Sequence, residues 1–233
     1  MRDGPWLRGL RDGVPIALGY LPVGVTFGVV ATQQGMSAME ATLTSIIVYS
    51  GAAQFMLVGL LAAGTPMALT VGLCLLLNAR HALYGPAIAA YLPASPSRLS
   101  ALAFGLTDEV FAVALGRLPA QPAAQRPLWL AGVETMAYAS WVGASAAGAL
   151  AGDWIRSHLP LLAESLPIAL SALFLVLLLP HAHAGRRGAI LVTVGVAAAF
   201  ALAQHAALGL LLAAVLGALL AGIGEVRCAR KSS

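Results

Sequence analysis

Stretches of about twenty apolar residues with almost no charge follow one another along this chain. Only 9% of its 233 residues are charged and 60% are hydrophobic, whereas an average soluble domain has about 25% charged residues. So few charges cannot cover a water-soluble surface, and the apolar runs lack the short alternating pattern of a membrane β-barrel. The sequence therefore predicts an all-α fold, a polytopic transmembrane helical bundle.

The apolar stretches also predict how the helices are arranged along the chain. A membrane core of about 30 Å requires roughly 20 helical residues. This length predicts a single transmembrane domain over residues 1–233 with eight spans, or seven if the last two form one broken helix. The predicted spans are 13–34, 41–63, 66–92, 99–116, 128–151, 163–180, 187–203 and 205–223. The third is long enough to tilt, or to break near Gly85 and Pro86.

Basic residues are distributed unevenly between the segments that join these spans. With the N-terminus inside, ten of the 13 Lys and Arg residues fall on the cytoplasmic side, Arg98 and Arg156 fall outside, and Arg80 lies within a span. The ten are Arg2, Arg8, Arg11, Arg117, Arg126, Arg186, Arg187, Arg227, Arg230 and Lys231. Because cytoplasmic loops are enriched in Lys and Arg, both termini are predicted to be cytoplasmic. This topology accounts for the net charge of +4, which does not indicate nucleic-acid binding.

Cysteine and histidine spacing gives no indication of a metal site, cofactor or disulfide. Cys74 lies in a predicted span and Cys228 lies in the C-terminal tail, so the two thiols occupy different environments. The Cys and His positions do not match the spacing of a zinc site. We therefore expect neither a metal nor a cofactor.

Proline and glycine interrupt the first predicted span at Gly19, Pro22 and Gly24. Proline removes a backbone hydrogen bond and clashes with the preceding turn. In lipid, the freed carbonyl must be met by protein or water, so this side should face the bundle interior. The pattern predicts either a helix break, of the kind found at transporter sites, or a packing kink.

An arginine and a histidine, Arg80 and His81, lie inside the third predicted span. A charge near the bilayer centre costs about 2.5–3.5 kcal/mol on insertion scales, so it commonly marks a substrate pathway, an ion pathway or a buried ion pair. Asp108 and Glu109, inside the fourth span, are the candidate ion-pair partners and proton carriers. Alternatively, Arg80 could bind a substrate carboxylate bidentately and His81 could shuttle protons.

Other polar side chains in the spans carry groups that suit an amino-acid zwitterion. Tyr49 and Gln54 in the second span, with Asn78 and Tyr84 in the third, join Arg80 and His81 as candidate substrate-binding residues. Their alternative role is to link helices, at roughly 1 kcal/mol for each hydrogen bond.

Four short motifs follow one another along the first half of the chain. They are Gly-Val-Pro-Ile with Gly-Tyr-x-Pro-x-Gly (13–24), Tyr-Ser-Gly-Ala-Ala-Gln-Phe (49–55), Asn-Ala-Arg-His-Ala-Leu-Tyr-Gly (78–85) and Thr-Asp-Glu (107–109). With these motifs the chain resembles the AzlC-type large subunit of bacterial branched-chain amino-acid exporters. The resemblance implies export of leucine, isoleucine or valine, and in some relatives methionine, across the inner membrane. It also implies a small, separately encoded AzlD-type membrane subunit as partner.

The predicted function is therefore a transporter subunit that exports branched-chain amino acids, with inward proton movement as the candidate energy source. Arg80, Asn78 and Gln54 are the candidates for binding the substrate carboxylate. Glu109 or Asp108 is the candidate for binding the ammonium group or the coupled proton.

Three other functions compete with this prediction. A channel-like pore and a non-transporting helper subunit are the main alternatives. An intramembrane serine hydrolase built on Ser50 and His81 is a remote one, because Ser50 is not part of a Gly-x-Ser-x-Gly elbow. We do not predict an enzyme.

Overall fold

The computed structural model describes residues 4–161, 187–203 and six single positions between Gly209 and Leu220. The described residues form helices and no strand, so the predicted all-α fold is confirmed. In chain order the helices are α1 (Pro5–Gln33), α2 (Ala38–Val48), α3 (Gly51–Ala62), α4 (Met67–Asn78), α5 (His81–Ala89), α6 (Pro96–Phe104), α7 (Asp108–Arg117), α8 (Arg126–His158) and α9 (Arg187–Leu202). The predicted span 163–180, and most of 205–223, lie outside the described residues.

The chain divides into two compact units between Pro167 and Ile168. Helices α1–α8 belong to the first unit and α9 belongs to the second. Helix α9 occupies the predicted span 187–203. The single domain over residues 1–233 stays a prediction.

Helices α1 and α8 form a parallel pair at the centre of the first unit. Near their N-termini, Gly9 packs on Gly132, and near their C-termini Gly28 packs on Gly148. A Cβ atom added to Gly28 would lie 2.8 Å from the Gly148 carbonyl carbon and closer still to the Ser145 carbonyl oxygen. Small residues permit such close approach of two helix backbones. We call the end at which both helices begin the proximal end, and the other the distal end.

Helix α1 runs without interruption through Pro15 and Pro22, so the predicted helix break at Gly19, Pro22 and Gly24 is wrong. The Thr26 hydroxyl donates a hydrogen bond to the Pro22 carbonyl (2.8 Å). Gly24 serves close packing instead, because a Cβ atom there would lie 2.8 Å from the Ala144 methyl group.

Helices α2 and α3 form a hairpin that enters the unit from the distal end and returns to it. Their 11 and 12 residues extend only about 16 and 18 Å. Tyr49, in the left-handed conformation (φ 40°), reverses the chain between them. Gln54 Nε2 then donates across the hairpin to Ser45 Oγ (2.8 Å). Helix α3 leads back towards the distal half of α1, where Phe55 contacts Phe27.

Helices α4 and α5 together run the full length of the unit from the distal to the proximal end. Helix α4 descends antiparallel to α3, with Cys74 Sγ 3.5 Å from the Ala53 carbonyl oxygen. The chain tightens at Ala79 and Arg80 but keeps helical dihedral angles, and α5 continues in the same direction. The Tyr91 carbonyl then accepts a hydrogen bond from Arg126 at the start of α8 (3.1 Å). The interruption precedes the predicted position near Gly85 and Pro86, and Pro86 lies inside α5.

Helices α6 and α7 form a second hairpin, which enters from the proximal end. Helix α6 packs antiparallel to α5, where a Cβ atom on Gly85 would lie 3.6 Å from Ala103. The chain turns at residues 105–107, and α7 returns antiparallel to α1. Tyr20 is hydrogen-bonded to Glu109 near the start of α7, and Asp12 forms an ion pair with Arg117 at its end.

The predicted spans 41–63 and 99–116 are therefore not single full-length helices. Each is a hairpin of two half-length helices, because a turn lies in the middle of the apolar stretch. Two of the described helical segments are long and apolar enough to cross a membrane, Pro5–Gln33 and Met67–Ala89. The second hairpin also corrects the placement of Arg98. This residue lies near the start of α6 at the proximal end, the same end as Arg117 and Arg126, from which the prediction separated it.

Candidate functional site at the hairpin tips

The two hairpin tips meet near the α4–α5 junction, midway between the ends of the unit. Ser50 at the first tip donates a hydrogen bond to Asn78 Oδ1 at the junction (2.7 Å). The tips are buried in protein, with Ser50 4% and Leu106 3% exposed. Irregular backbone at this depth requires such cover. We define the central cluster as Tyr20, Ser50, Asn78, Arg80, His81, Tyr84, Thr107, Asp108 and Glu109.

Asp108 is the hub of the central cluster. Its Oδ2 lies 2.8 Å from Arg80 Nη2, and its Oδ1 accepts a hydrogen bond from the Tyr84 hydroxyl (2.6 Å). His81 Nε2 lies 3.9 Å from Oδ1. Of the two carboxylates considered as partners of Arg80, Asp108 is the one in contact. The Arg80 and Asp108 side chains remain 41% and 43% exposed, so the pair is not sealed inside the described fold.

The start of α7 favours the negative charges that it carries. Thr107 caps the helix by accepting a hydrogen bond from the Val110 amide (3.3 Å). Asp108 and Glu109 occupy the first turn, where the helix dipole stabilises carboxylates. The Tyr20 hydroxyl donates to Glu109 Oε2 (2.6 Å) and lies 2.7 Å from Thr107 Oγ1. These contacts connect the second tip to α1.

Tyr49 forms the tip of the first hairpin in a strained conformation. A left-handed φ is a genuine outlier for a bulky residue and costs of the order of 1–3 kcal/mol. The ring lies against Tyr138 (4.8 Å between ring centroids) and Phe104 (6.1 Å), so it joins the first tip to α8 and to the second tip. Its hydroxyl is buried and has no hydrogen-bond partner within the described structure.

Gln54 has a packing role in this structure. The side chain is fully buried, and its amide links both arms of the first hairpin to α8. Nε2 donates to Ser45 Oγ, and Oε1 accepts a hydrogen bond from Trp141 Nε1 (2.9 Å). Its oxygen and one of its amide hydrogens are thus engaged within the fold. The helix-linking alternative explains this residue better than substrate binding does.

The sequence prediction did not include Glu134 among the site residues. In the structure, the second hairpin packs against this side chain. This carboxyl group lies against Gly105, where an added Cβ atom would come 2.6 Å from Glu134 Cδ. Glu134 is 8% exposed, and its Oε1 lacks a hydrogen-bond partner among the described residues. The available signal in the sequence was a carboxylate inside the fifth apolar stretch. Tyr20 and Thr107 were likewise not predicted as site residues.

The polar contacts of the cluster also bear on the remote hydrolase alternative. The Ser50 hydroxyl donates to Asn78, and His81 Nε2 lies 3.9 Å from Asp108 Oδ1. The pairing that would activate a serine nucleophile is therefore not formed. In the described part of the chain, no group of three or more His, Cys, Asp or Glu side chains could hold a metal ion.

Comparison with known proteins identifies the relatives of this chain. It is 39% identical over 216 residues to an uncharacterized membrane protein of Archaeoglobus fulgidus, covering 92% of this chain and 93% of that protein. It is 33% identical over 220 residues to the inner membrane protein YgaZ of Escherichia coli, covering 94% and 86%. It is 27% identical over 166 residues to the branched-chain amino acid transport protein AzlC of Bacillus subtilis, covering 70% and 63%.

No solved structure matches the chain significantly. The family model described as AzlC protein matches residues 15–155, which include both hairpins and the whole central cluster. With most of the chain also aligned to membrane proteins of this kind, the chain belongs to the AzlC family of membrane proteins, a family linked to branched-chain amino-acid transport.

Proposed function

We propose that this protein exports branched-chain amino acids, with methionine as a further substrate, across the bacterial inner membrane, and that the central cluster is its substrate site. The observation that carries the proposal is the meeting of two half-helix hairpins at a cluster of opposite charges. Interrupted helices present backbone partial charges in the middle of a membrane protein, where a zwitterion can be bound without water.

The site offers distinct groups for the two charges of an amino acid. The start of α3 has no side-chain cap, so the amide groups of its first turn can bind a carboxylate. Arg80 and the amide nitrogen of Asn78 lie beside it, since Asn78 is bonded to Ser50. Glu109 or Asp108, at the start of α7, is the proposed partner of the ammonium group. The aromatic rings of Tyr49 and Phe104 provide an apolar surface for a branched side chain.

The proposed orientation places the proximal end in the cytoplasm. This end carries Arg8, Arg98, Arg117 and Arg126 on four different elements, in agreement with the enrichment of arginine on the cytoplasmic side. Both termini of the chain are proposed to be cytoplasmic. A small AzlD-type membrane subunit is the proposed partner, and inward proton movement is the proposed energy source.

Efflux of radiolabelled valine, leucine and methionine from preloaded cells tests the function. The chain is expressed with and without the small partner subunit, and its presence in the membrane is verified in both samples. Saturable efflux above the vector control supports an exporter, and dependence on the partner identifies a shared pathway. Efflux that does not saturate would instead support a channel-like pore. No efflux in either sample would refute the proposal and favour a helper subunit.

Arg80→Lys tests the substrate site within this assay. Lysine keeps the charge but cannot form a bidentate pair with a carboxylate, so we expect KM to rise about tenfold. Arg98→Lys is the matched control, because Arg98 is exposed at the proximal end. An unchanged KM in Arg80→Lys would remove Arg80 from the substrate site.

A further inference from the structure

Glu134 is a carboxyl group buried against the second tip. Its Oε1 is inaccessible and has no hydrogen-bond partner in the described structure. Gly105 of the second tip packs directly against the carboxyl group, and an added Cβ atom there would lie 2.6 Å from Glu134 Cδ. An unpaired carboxylate in such surroundings is costly, whereas the neutral acid is not. The site therefore requires a proton or an entering cation.

Among the described residues, no Lys, Arg or His side chain forms an ion pair with Glu134. The ionisable side chains that the surrounding elements carry near the tips include Tyr49 on the first tip, Asp108 and Glu109 on the second tip, Tyr20 on α1, Tyr138 on α8, and Arg80 and His81 at the α4–α5 junction. Arg80 is engaged by Asp108, and apart from Arg80 and His81 these groups are acids or phenols. Asp12 is already paired with Arg117, at the proximal end of α7.

The other two carboxylates near the tips differ from Glu134 in their contacts. Asp108 is engaged by Arg80 and Tyr84, and Glu109 by Tyr20. Binding a proton on either one would compete with these bonds. Glu134 lacks a bond of this kind at Oε1, so a proton can be added there without breaking an existing contact.

Glu134 also lies where its protonation state can affect both hairpins. Its neighbour Gly105 is joined through Phe104 to the ring of Tyr49 on the first tip. Tyr138, one helical turn along α8 from Glu134, contacts the same two rings. The buried Tyr49 hydroxyl, which likewise has no hydrogen-bond partner among the described residues, belongs to this group. A change of charge on Glu134 thus acts on both tips at once.

We propose that Glu134 is the proton-binding residue of this transporter, a site separate from the Arg80–Asp108 pair. The carboxylate takes one proton as an O–H bond, holds it as the neutral acid while the tips are closed over it, and releases it when they part. This inference rests on the proposed transport function and identifies the group that would couple it to protons.

Glu134→Gln tests the proposal in proteoliposomes that hold the purified chain, with its small partner subunit if efflux requires it. Glutamine imitates the protonated acid permanently. We expect exchange of labelled for unlabelled leucine without a proton gradient to continue at the wild-type rate. The leucine gradient driven by protons should be lost. In the wild type this gradient can reach about 50-fold for each coupled proton and each 100 mV of membrane potential. Glu40→Gln is the control, because Glu40 is exposed and glutamine also serves its capping box.

Two transport results would overturn the proposal. The first is a Glu134→Gln protein that still builds the wild-type leucine gradient. The second is a correctly folded Glu134→Gln protein that has lost both exchange and accumulation, which would make Glu134 a substrate-binding or structural residue.

A chemical assay separates this inference from the transport function. Dicyclohexylcarbodiimide modifies buried carboxylic acids in their protonated form, and mass spectrometry locates the adduct. We expect modification of Glu134 in the wild type, increasing as pH falls. Gly105→Ala should abolish it, because the added methyl group displaces the carboxyl group. Modification without any leucine transport would refute the transport function and leave the proton site standing. Absence of modification at every pH would refute the proton site.

Discussion

The close packing of α1 on α8 predicts opposite effects for the same substitution at two positions of one helix. Gly28 faces α8, where a Cβ atom would lie 2.8 Å from the Gly148 carbonyl carbon and nearer to two further backbone atoms. Gly19 has open space around the same position. We expect Gly28→Ala to destabilise the protein and Gly19→Ala to stabilise it.

The magnitude follows from the geometry. Non-bonded atoms prefer separations of about 3.5 Å, so the methyl group of Gly28→Ala would force the two backbones apart by about 1 Å. Overpacking of this kind costs about 1–3 kcal/mol. Both variants gain the same helix propensity, about 1 kcal/mol over glycine. The difference between the two free energies of unfolding therefore isolates the clash, at about 1–3 kcal/mol.

Reversible denaturation of the purified protein in mixed detergent micelles measures both free energies, and thermal melting gives an independent ranking. Gly148→Ala should resemble Gly28→Ala, because a Cβ atom there meets the backbone of Val25 on α1. Equal stability of Gly28→Ala and Gly19→Ala would refute the parallel, glycine-packed pair.

Three further predictions concern the tips. Gln54→Leu should lower the free energy of unfolding by about 1–3 kcal/mol, because a serine and a tryptophan lose their partner, and should leave KM unchanged; a raised KM with unchanged stability would restore Gln54 to the substrate site. Tyr20→Phe should reduce the transport rate by freeing Glu109, whereas Tyr91→Phe, which alters an exposed ring, should not; equal rates would contradict the role given to this bond. Arg80→Ala should reduce the amount of the protein in the membrane, because Asp108 is left unpaired, and adding Asp108→Asn should restore that amount. Failure of this rescue in immunoblots would exclude a structural ion pair.

The sequence was sufficient to predict the helical class and most of the polar residues that meet at the tips. Apolar length and scarce charge specify helices, and a charge inside an apolar stretch marks a position that packing or chemistry must compensate. Arg80 and Asp108 are far apart in sequence, but each needs a partner of opposite charge. That requirement made their pairing foreseeable.

The hairpins were not foreseeable from the same reasoning. Hydropathy reports whether a stretch can cross a membrane core but not whether its backbone turns back in the middle. The turn at Tyr49 depends on a left-handed φ that tyrosine rarely adopts, so its residue type gave no warning. Conversely, Pro22 suggested a break, but α1 continues through it as one helix. At Tyr49, the rings of Phe104 and Tyr138 pack against a residue whose backbone conformation its own type disfavours.

Because the two hairpins enter the unit from opposite ends, each covers the central cluster from a different side. Withdrawal of α2–α3 would open the cluster to the distal side while α6–α7 still covered the proximal side. Withdrawal of α6–α7 would open the proximal side while α2–α3 covered the distal side. Neither movement would require α1 to slide on α8, whose glycine contacts hold the frame. In the proposed transporter, a substrate could thus pass from one side to the other without a continuous pore, because each hairpin is a separate pair of half-length helices.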